Sequence, residues 1–300
     1  RDYFTLVNGY IYAVYERLFA ITRCKKFQKE YPNDDLCLEY IFQKRIGEDF
    51  ACPSCKKVDS FYRIKKRKSY ACSWCGYQIA PTAGTIFHKS PTPLTLWFHA
   101  IFLFGQSKNG VSAKELERHL GVTYKCAYRI GKQVRSLMER QPSLLGGTVE
   151  ADETYVGGKG GHNKRGRGAE NKTPVFGMVE RKGDVIAKTV TNVKATTVMP
   201  LIRQNVEIGT NLMTDELASY NKAGAEFKHE RVKHSAKEYA RGNVYTNTIE
   251  GFWSQLKRSI DGTYHSVSPK YLQSYVNEIA FQYNARSSAL HPFELLMGRI

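Results

Sequence analysis

Apolar residues recur at helical spacing through the middle of the chain. Thr92–Phe104 is apolar and aromatic, which predicts a core helix. Ser112–Leu120 predicts a second helix, because it opens with Ser and Glu115 follows three positions later, as in a capping box. After a tight turn with Gly121, Tyr124–Met138 predicts a third helix with an apolar stripe along one face.

Beyond Gly147 the pattern changes to strands mixed with helices. Alternation in Thr148–Tyr155 places Glu150, Asp152 and Thr154 on one strand face and Val149 and Ala151 on the other. Gly157–Lys172 is rich in Gly, Lys and Arg and is predicted to be a loop. Further strands are predicted at Val175–Glu180, Val185–Val190, Asn211–Asp215 and His229–His234, and further helices at Ala195–Val206, Thr246–Ile260, Pro269–Arg286 and Pro292–Gly298.

The order of these elements is that of an α/β fold of the ribonuclease-H-like class. In that fold the first and fourth strands are neighbours, so acids at facing positions of the two strands can share metal ions. The predicted organisation is an N-terminal helical segment over residues 1–48, a zinc ribbon over 49–80, a helix-turn-helix region over 90–142 and the α/β domain over 146–300.

Four of the seven cysteines form two CxxC pairs, Cys52 with Cys55 and Cys72 with Cys75, which have 16 residues between them. Each such pair turns two thiolates toward one tetrahedral ion, so the spacing predicts structural zinc rather than disulfides. The other three cysteines have no spacing partner, and we expect them to fill apolar sites.

The chain is strongly basic, with 45 Lys and Arg against 28 Asp and Glu, a net charge of +17 and a pI near 9.5. This surplus favours a polyanionic partner, although an ordinary basic protein remains an alternative. No run of 18 apolar residues is present, so no membrane span is expected. The N-terminus lacks the plan of a signal peptide, and we expect a cytoplasmic protein. Residue 1 is Arg rather than Met, as expected of a fragment or a processed chain.

Two basic segments are candidates for DNA contact. Phe61–Tyr70 predicts a β-hairpin that presents Lys65, Lys66 and Arg67 to phosphates; the alternative is a solvated hairpin tip. In the helix Tyr124–Met138, four cations are predicted to face outward and to make this a DNA-binding helix, unless the two helices are simply packed together. These cations are Lys125, Arg129, Lys132 and Arg135, of which Arg129 and Lys132 are the favoured DNA contacts.

Three acids, Asp152, Asp215 and Glu250, lie where two strands and one helix can bring them together. Carboxylates alone would repel a phosphodiester, so such a cluster in a basic protein predicts a divalent metal site acting on nucleic acid. The alternative for each acid alone is a capping or surface carboxylate. Seven positions at about 100° per residue bring Lys257 within about 20° of Glu250 around their helix. His234 and Asn247 are weaker candidates for the same site.

Several longer motifs carry a family resemblance. They are Val149-Glu-Ala-Asp-Glu-Thr-Tyr-Val-Gly-Gly-Lys159, Thr214-Asp-Glu-Leu-Ala-Ser-Tyr220, Tyr245-Thr-Asn-Thr-Ile-Glu-Gly-Phe-Trp-Ser-Gln-Leu-Lys-Arg258, Gly262-Thr-Tyr-His265 and Tyr275-Val-Asn-Glu-Ile-Ala-Phe-Gln-Tyr-Asn284. With the N-terminal zinc ribbon, the chain resembles DDE transposases of bacterial insertion sequences, in the group related to the eukaryotic Merlin transposons.

The resemblance implies catalytic roles for Asp152, Asp215 and Glu250, with Lys257 as an accessory. It implies two catalytic Mg²⁺ or Mn²⁺ ions, with Asp152 bridging them, and double-stranded DNA as the substrate, both at transposon ends and at the target. A homo-oligomer on DNA is expected. Some members of this group have Asn in place of the third acid, which is why Asn247 is kept as a candidate. Two alternatives stay open: a domesticated DNA-binding regulator without catalysis, and a nuclease that shares the catalytic fold.

Overall fold

The computed structural model describes residues 24–47, 49–58, 61–65, 67–139, 143–157, 172–221, 223–232 and 240–300. The chain divides into two compact units, residues 1–99 with residue 300, and residues 100–299. Within the described ranges, no helix is both long enough and apolar enough to cross a membrane.

The first unit packs one helix on a small antiparallel sheet. Residues 24–30 are helical, and helix α1 follows at Asp34–Arg45. Strands β1 (Phe61–Arg63), β2 (Tyr70–Cys72) and β3 (Gln78–Ile79) pair in that order, which confirms the predicted hairpin. The ring of Phe42 on α1 stacks on that of Tyr70 at 4.1 Å between centroids, and the Tyr70 hydroxyl donates to Glu39 at 2.6 Å. These contacts bury the apolar face of the sheet.

Three helices precede the second sheet. Helix α2 spans Leu94–Gln106, α3 spans Ala113–Leu120 and α4 spans Tyr124–Ser136. The Ser112 hydroxyl accepts from the Glu115 backbone N–H at 3.1 Å, which confirms the predicted start of α3. That helix ends at Gly121, whose φ of 63° gives the left-handed turn into α4.

The prediction that the Arg135 side chain on α4 faces outward is wrong. Its side chain is 4% exposed, and its Nε donates to the fully buried carboxylate of Glu278 at 2.7 Å. Arg135 also donates to the Val111 carbonyl at 2.8 Å, and Glu278 accepts from the Val111 N–H at 3.1 Å. Arg135 is buried because a carboxylate on a helix distant in sequence pairs with it. Helical periodicity cannot reveal such a partner.

The second unit is built on a mixed five-stranded sheet of order β6-β5-β4-β7-β8. Its strands are β4 (Thr148–Gly157), β5 (Lys172–Glu180), β6 (Val185–Thr189), β7 (Asn211–Thr214) and β8 (Lys228–Arg231). Strands β5 and β6 run antiparallel to their neighbours, whereas β7 pairs in parallel with both β4 and β8. The predicted adjacency of the first and fourth strands of this sheet is therefore confirmed.

Helices cover both faces of this sheet. Val149 and Ala151 belong to a core with helix α5 (Ala195–Asn205) on one face. On the other face, helices α6 (Asn247–Arg258) and α7 (Pro269–Asn284) share a core that contains Val156. The alternation predicted for Thr148–Tyr155 thus places Val149 and Ala151 together on one face, as the structure has them. The remaining described strands and helix are the short pair β9 (Ala240–Arg241) and β10 (Val244–Tyr245), and α8 (Pro292–Met297).

Several element ends differ from the prediction. Helix α6 ends at Arg258 and continues as a π-helical segment, Ser259–Tyr264, rather than as an α-helix to Ile260. Strand β8 spans Lys228–Arg231 and overlaps the predicted His229–His234 only at residues 229–231, and residues 233–239 lie outside the described residues.

The outer edge of β6 is covered by side chains of α7. The Asn284 amide both accepts from the Val185 N–H and donates to the Val185 carbonyl, at 2.8 and 3.0 Å. Gln273 accepts from the Thr189 N–H at 2.7 Å and donates to the Ala187 carbonyl at 3.1 Å. These amides occupy the hydrogen-bonding positions of a sixth strand, which protects this edge against pairing with other chains.

Candidate functional site

The two CxxC pairs come together in the first unit. All four Sγ atoms lie within 4.8 Å of one another, with Cys52 and Cys75 at 3.7 Å and Cys55 and Cys72 at 3.6 Å. Four sulfurs about 2.3 Å from a tetrahedral zinc ion are separated by about 3.8 Å, whereas a disulfide requires about 2.05 Å. The cysteine set therefore fits structural zinc, as the sequence predicts.

Two similar backbone turns, one in each CxxC pair, direct the thiol groups toward one another. The Lys56 N–H donates to the Cys52 carbonyl at 2.8 Å, and the Gly76 N–H donates to the Cys72 carbonyl at 2.9 Å. Both turn residues are left-handed, with φ of 62° at Lys56 and 73° at Gly76. Glycine favours this conformation, which makes the second turn readable from sequence, whereas Lys56 is held there by the fold.

Asp152 lies on β4, and Asp215 directly follows the end of the neighbouring parallel strand β7. Ala151 on β4 pairs with Thr214 on β7, so Asp152 and Asp215 are the next residues after a paired position. The Trp253 indole N–H of α6 donates to Asp152 Oδ2 at 3.0 Å. Asp215 is 7% exposed and its Oδ1 accepts from the Leu217 N–H at 2.9 Å. Each carboxylate is thus oriented by a neighbouring donor.

Glu250 lies in the first turn of α6, and the Thr246 hydroxyl donates to its Oε1 at 3.1 Å. The pKa of Asp152 is raised to about 6, chiefly by burial and in addition by the carboxylates of Asp215 and Glu250, against the opposing hydrogen bonds from the Glu153 N–H and the Trp253 indole. Asp152 therefore senses the charge of both other acids.

Other predicted site residues are placed as follows. Lys257 and Asn247 are exposed on α6, seven positions after and three positions before Glu250. On the basic hairpin, Lys65 and Arg67 are exposed. Lys132 is exposed and Arg129 half-buried on α4. Lys66 and His234 lie outside the described residues.

A buried carboxylate that sequence reasoning did not assign anchors the helix that carries Glu250. Glu150, fully buried on β4, accepts from the backbone N–H groups of Thr248 and Ile249 at 2.8 and 3.0 Å. It also accepts from the Thr248 hydroxyl at 2.8 Å and from Arg181 Nε at 2.7 Å. A carboxylate at a helix N-terminus satisfies otherwise unpaired donors and interacts favourably with the helix dipole. The available signal was its position two residues before Asp152, on the same strand face.

Arg181 extends this anchor to the chain that leads into α6. Its guanidinium donates to the carbonyls of Asn243 and Tyr245 at 2.8 and 3.0 Å, and lies 3.5 Å from the Tyr245 ring centroid. The Glu150–Arg181 pair therefore holds both the entry to the helix and its first turn against strand β4.

We expect Cys72→Ser to lower bound zinc from about one equivalent to near zero, because three thiolates hold the ion less tightly than four. Metal content measured by atomic emission on protein purified without added zinc checks this. Cys126→Ser, outside the cluster, is the control and should keep one equivalent. Zinc retained by Cys72→Ser at the wild-type level would contradict the assignment.

We expect Glu150→Ala to lower the free energy of unfolding by about 3–5 kcal/mol, because it leaves the Arg181 guanidinium and the helix N–H groups without their acceptor. Urea unfolding followed by circular dichroism measures the change. The exposed Glu207→Ala is the matched control and should change stability by less than about 0.5 kcal/mol. Equal stability of the two variants would show that Glu150 is dispensable as an anchor.

Asp152 should make stability depend on pH when no Mg²⁺ is present. The folded-state pKa of about 6 exceeds the usual value near 3.9, so the proton stabilises the fold below about pH 4 and this contribution is lost as pH rises through about 6. Asp152→Asn should therefore raise the melting temperature at pH 8 and change it little at pH 4. Thermal unfolding at both pH values tests this; the same shift at both would contradict it.

The chain matches two protein-family models. Residues 144–284 match the ISXO2-like transposase domain, and residues 32–78 match the transposase zinc-ribbon domain. It is 30% identical over 279 residues to a protein in the transposable element ISH50 of Halobacterium salinarum, covering 85% of this chain and 91% of that relative. A transposase-like protein of Haemophilus influenzae is 30% identical over 104 residues, which cover 34% of this chain and 83% of that relative. A zinc-ribbon segment with its four cysteines assembled, followed by a transposase domain on a mixed sheet, identifies this chain as a member of the ISXO2-like transposase family.

Proposed function

We propose that this transposase cuts DNA strands at the ends of its element and joins the freed 3′-OH to target DNA, using an α/β domain of the ribonuclease-H-like class. The observation that carries the proposal is that Asp152 and Asp215 each follow the last paired position, Ala151 with Thr214, of the parallel strands β4 and β7, with Glu250 near enough to raise the pKa of Asp152. The strand order β6-β5-β4-β7-β8, with the first and fourth strands adjacent, supports the fold assignment.

The three acids suit a pair of divalent ions better than one. Asp152 is level with Asp215 across neighbouring strands, and both Asp215 and Glu250 raise its pKa. Asp152 would therefore hold both ions, with Asp215 and Glu250 holding one each. Two such ions would activate the attacking water or hydroxyl and stabilise the leaving oxygen.

The protein's own groups would position this chemistry. Trp253 orients Asp152, and the Glu150 anchor fixes the first turn of α6 that presents Glu250. Lys257, exposed on the same helix, is proposed to bind a phosphate of the bound strand. Asn247, one turn before Glu250, is the competing candidate for the third ligand, and His234 remains a weaker one.

DNA is proposed to contact two basic segments as well as the acids. Lys65, Lys66 and Arg67 on the hairpin of the zinc ribbon would contact phosphates, and Arg129 and Lys132 on α4 would contact the transposon end in a helix-turn-helix arrangement. The net charge of +17 supports a polyanionic partner. A homo-oligomer assembled on DNA is proposed, because both ends of one element must be joined to target DNA.

We expect Asp152→Asn, Asp215→Asn and Glu250→Gln each to abolish strand cleavage and strand transfer while duplex binding survives. Each change keeps the shape of the side chain but removes a negative ligand, so divalent metal is held weakly or misplaced. The assay uses labelled duplexes carrying the sequences that border the gene, a supercoiled target plasmid, and Mg²⁺ or Mn²⁺. Ca²⁺ should support binding without turnover.

Two controls sharpen this test. Glu207→Gln removes an exposed carboxylate outside the acid cluster and should leave activity unchanged. Asn247→Ala decides between the two candidates for the third ligand: full activity in Glu250→Gln with none in Asn247→Ala would reassign it. Activity retained in Asp152→Asn would overturn the metal-site proposal, and binding without any cleavage by the wild type would favour a DNA-binding regulator.

A further inference from the structure

Two lysines from different helices flank one exposed tyrosine in the second unit. Lys132 of α4 places its Nζ 5.9 Å from the Tyr271 ring centroid, and Lys270 at the start of α7 places its Nζ 5.6 Å from the same ring. Both lysines are exposed, and Tyr271 is 38% exposed. Residues far apart in sequence therefore join α4 and α7 in one basic and aromatic cluster.

The two segments that carry this cluster contain no acidic residue. Helix α4 has no Asp or Glu, and none occurs in residues 262–277, which lead into α7 and form its first turns. Two ammonium groups near one ring concentrate positive charge at one place, so the arrangement favours a polyanion. Tyr124, 46% exposed, and Tyr128 continue the surface along α4 with ring centroids 6.4 Å apart. Their hydroxyl groups are donors suited to phosphate oxygens.

A buried ion pair fixes the two helices relative to each other. Arg135 of α4 and Glu278 of α7 are 4% and 0% exposed and 2.7 Å apart, and the Arg135 guanidinium lies 4.3 Å from the Tyr275 ring centroid. Removing either partner would leave an uncompensated buried charge, so the helices are held firmly together. A surface shared by α4 and α7 is thus already formed before DNA binds, which lowers the entropic cost of binding.

The same helices connect rigidly to the acids. Helix α7 packs beside α6 on one face of the sheet, and α6 carries Glu250 in its first turn. The Gln255 side chain of α6 also donates to the Lys108 carbonyl, in the turn between α2 and α3, at 3.2 Å. A DNA backbone bound along α4 and α7 would consequently be held at a fixed distance from the carboxylates of the three acids.

We propose that α4 and the first turns of α7 form a single surface for duplex DNA, in which Lys132, Tyr271 and Lys270 hold the phosphate backbone and set its position relative to the acids. This inference rests on the proposed function, because it takes DNA as the substrate. It extends the basic DNA contact of α4 onto α7 and assigns binding roles to Lys270 and Tyr271.

The test is duplex binding by full-length protein as a function of salt. A fluorescein-labelled 30-base-pair duplex of mixed sequence is titrated by anisotropy between about 50 and 300 mM NaCl. Each lost phosphate contact lowers the slope of log K against log salt by about 0.9, so Lys270→Ala and Lys132→Ala should each lower it by about 0.9 and the double variant by about 1.8. Tyr271→Ala should weaken binding more than Tyr271→Phe, which keeps the ring.

Lys228→Ala is the matched control, because Lys228 is an exposed lysine paired with Asn211 at the end of the sheet opposite Asp215. Its slope should equal that of the wild type. If Lys270→Ala behaves like Lys228→Ala while Lys132→Ala lowers the slope, DNA contact ends at α4: the shared surface is overturned and the proposed function stands. If both lysine variants match the control, both the shared surface and the proposed DNA contact by α4 are overturned. Absence of duplex binding by the wild type would overturn the proposed function itself.

Discussion

The arrangement of the acids depends on one buried carboxylate, that of Glu150. It accepts from two backbone N–H groups at the start of α6, from a threonine hydroxyl and from Arg181, so it joins the central strand β4 to the helix that carries Glu250. A buried charge of this kind is tolerated only when all its hydrogen-bonding capacity is used, which makes the local geometry highly specific. Asp152 lies two residues further along the same strand. Donor groups of α6 form hydrogen bonds with both Glu150 and Asp152.

A second buried pair, Arg135 with Glu278, joins α4, which precedes the sheet in the chain, to α7, which follows it. Both pairs link segments more than 30 residues apart, and both place a carboxylate with no exposed surface opposite an arginine. Substitution of one partner would be far more damaging than loss of an exposed salt bridge, because the remaining charge stays buried. The unit thus combines two polar connections with two apolar cores, one on each face of the sheet.

Fixed geometry is what phosphoryl transfer between DNA strands would require of this protein. The proposed DNA substrate is long, flexible and charged, so binding energy is useful only where it places one phosphodiester at the acids. Basic surface alone would attract DNA without aligning it. A rigid connection from the proposed DNA surface on α4 and α7 through α6 to Glu250 offers that alignment, while the zinc ribbon forms its own small core around Phe42 and Tyr70.

Local patterns in the sequence determined much of this protein. The CxxC spacing predicted the cysteine cluster and the Ser112 cap predicted the start of α3, because a few adjacent residues specify such local geometry. The order of elements along the chain predicted that β4 and β7 are neighbours. Only the tertiary structure decided which charged side chains are buried. Arg135 followed the same periodicity as the exposed Lys132, and Glu150 the same alternation as Asp152, yet the partners that bury them, Glu278 and Arg181, are distant in sequence. Burial of a charge depends on such a partner, and periodicity along one element carries no information about it.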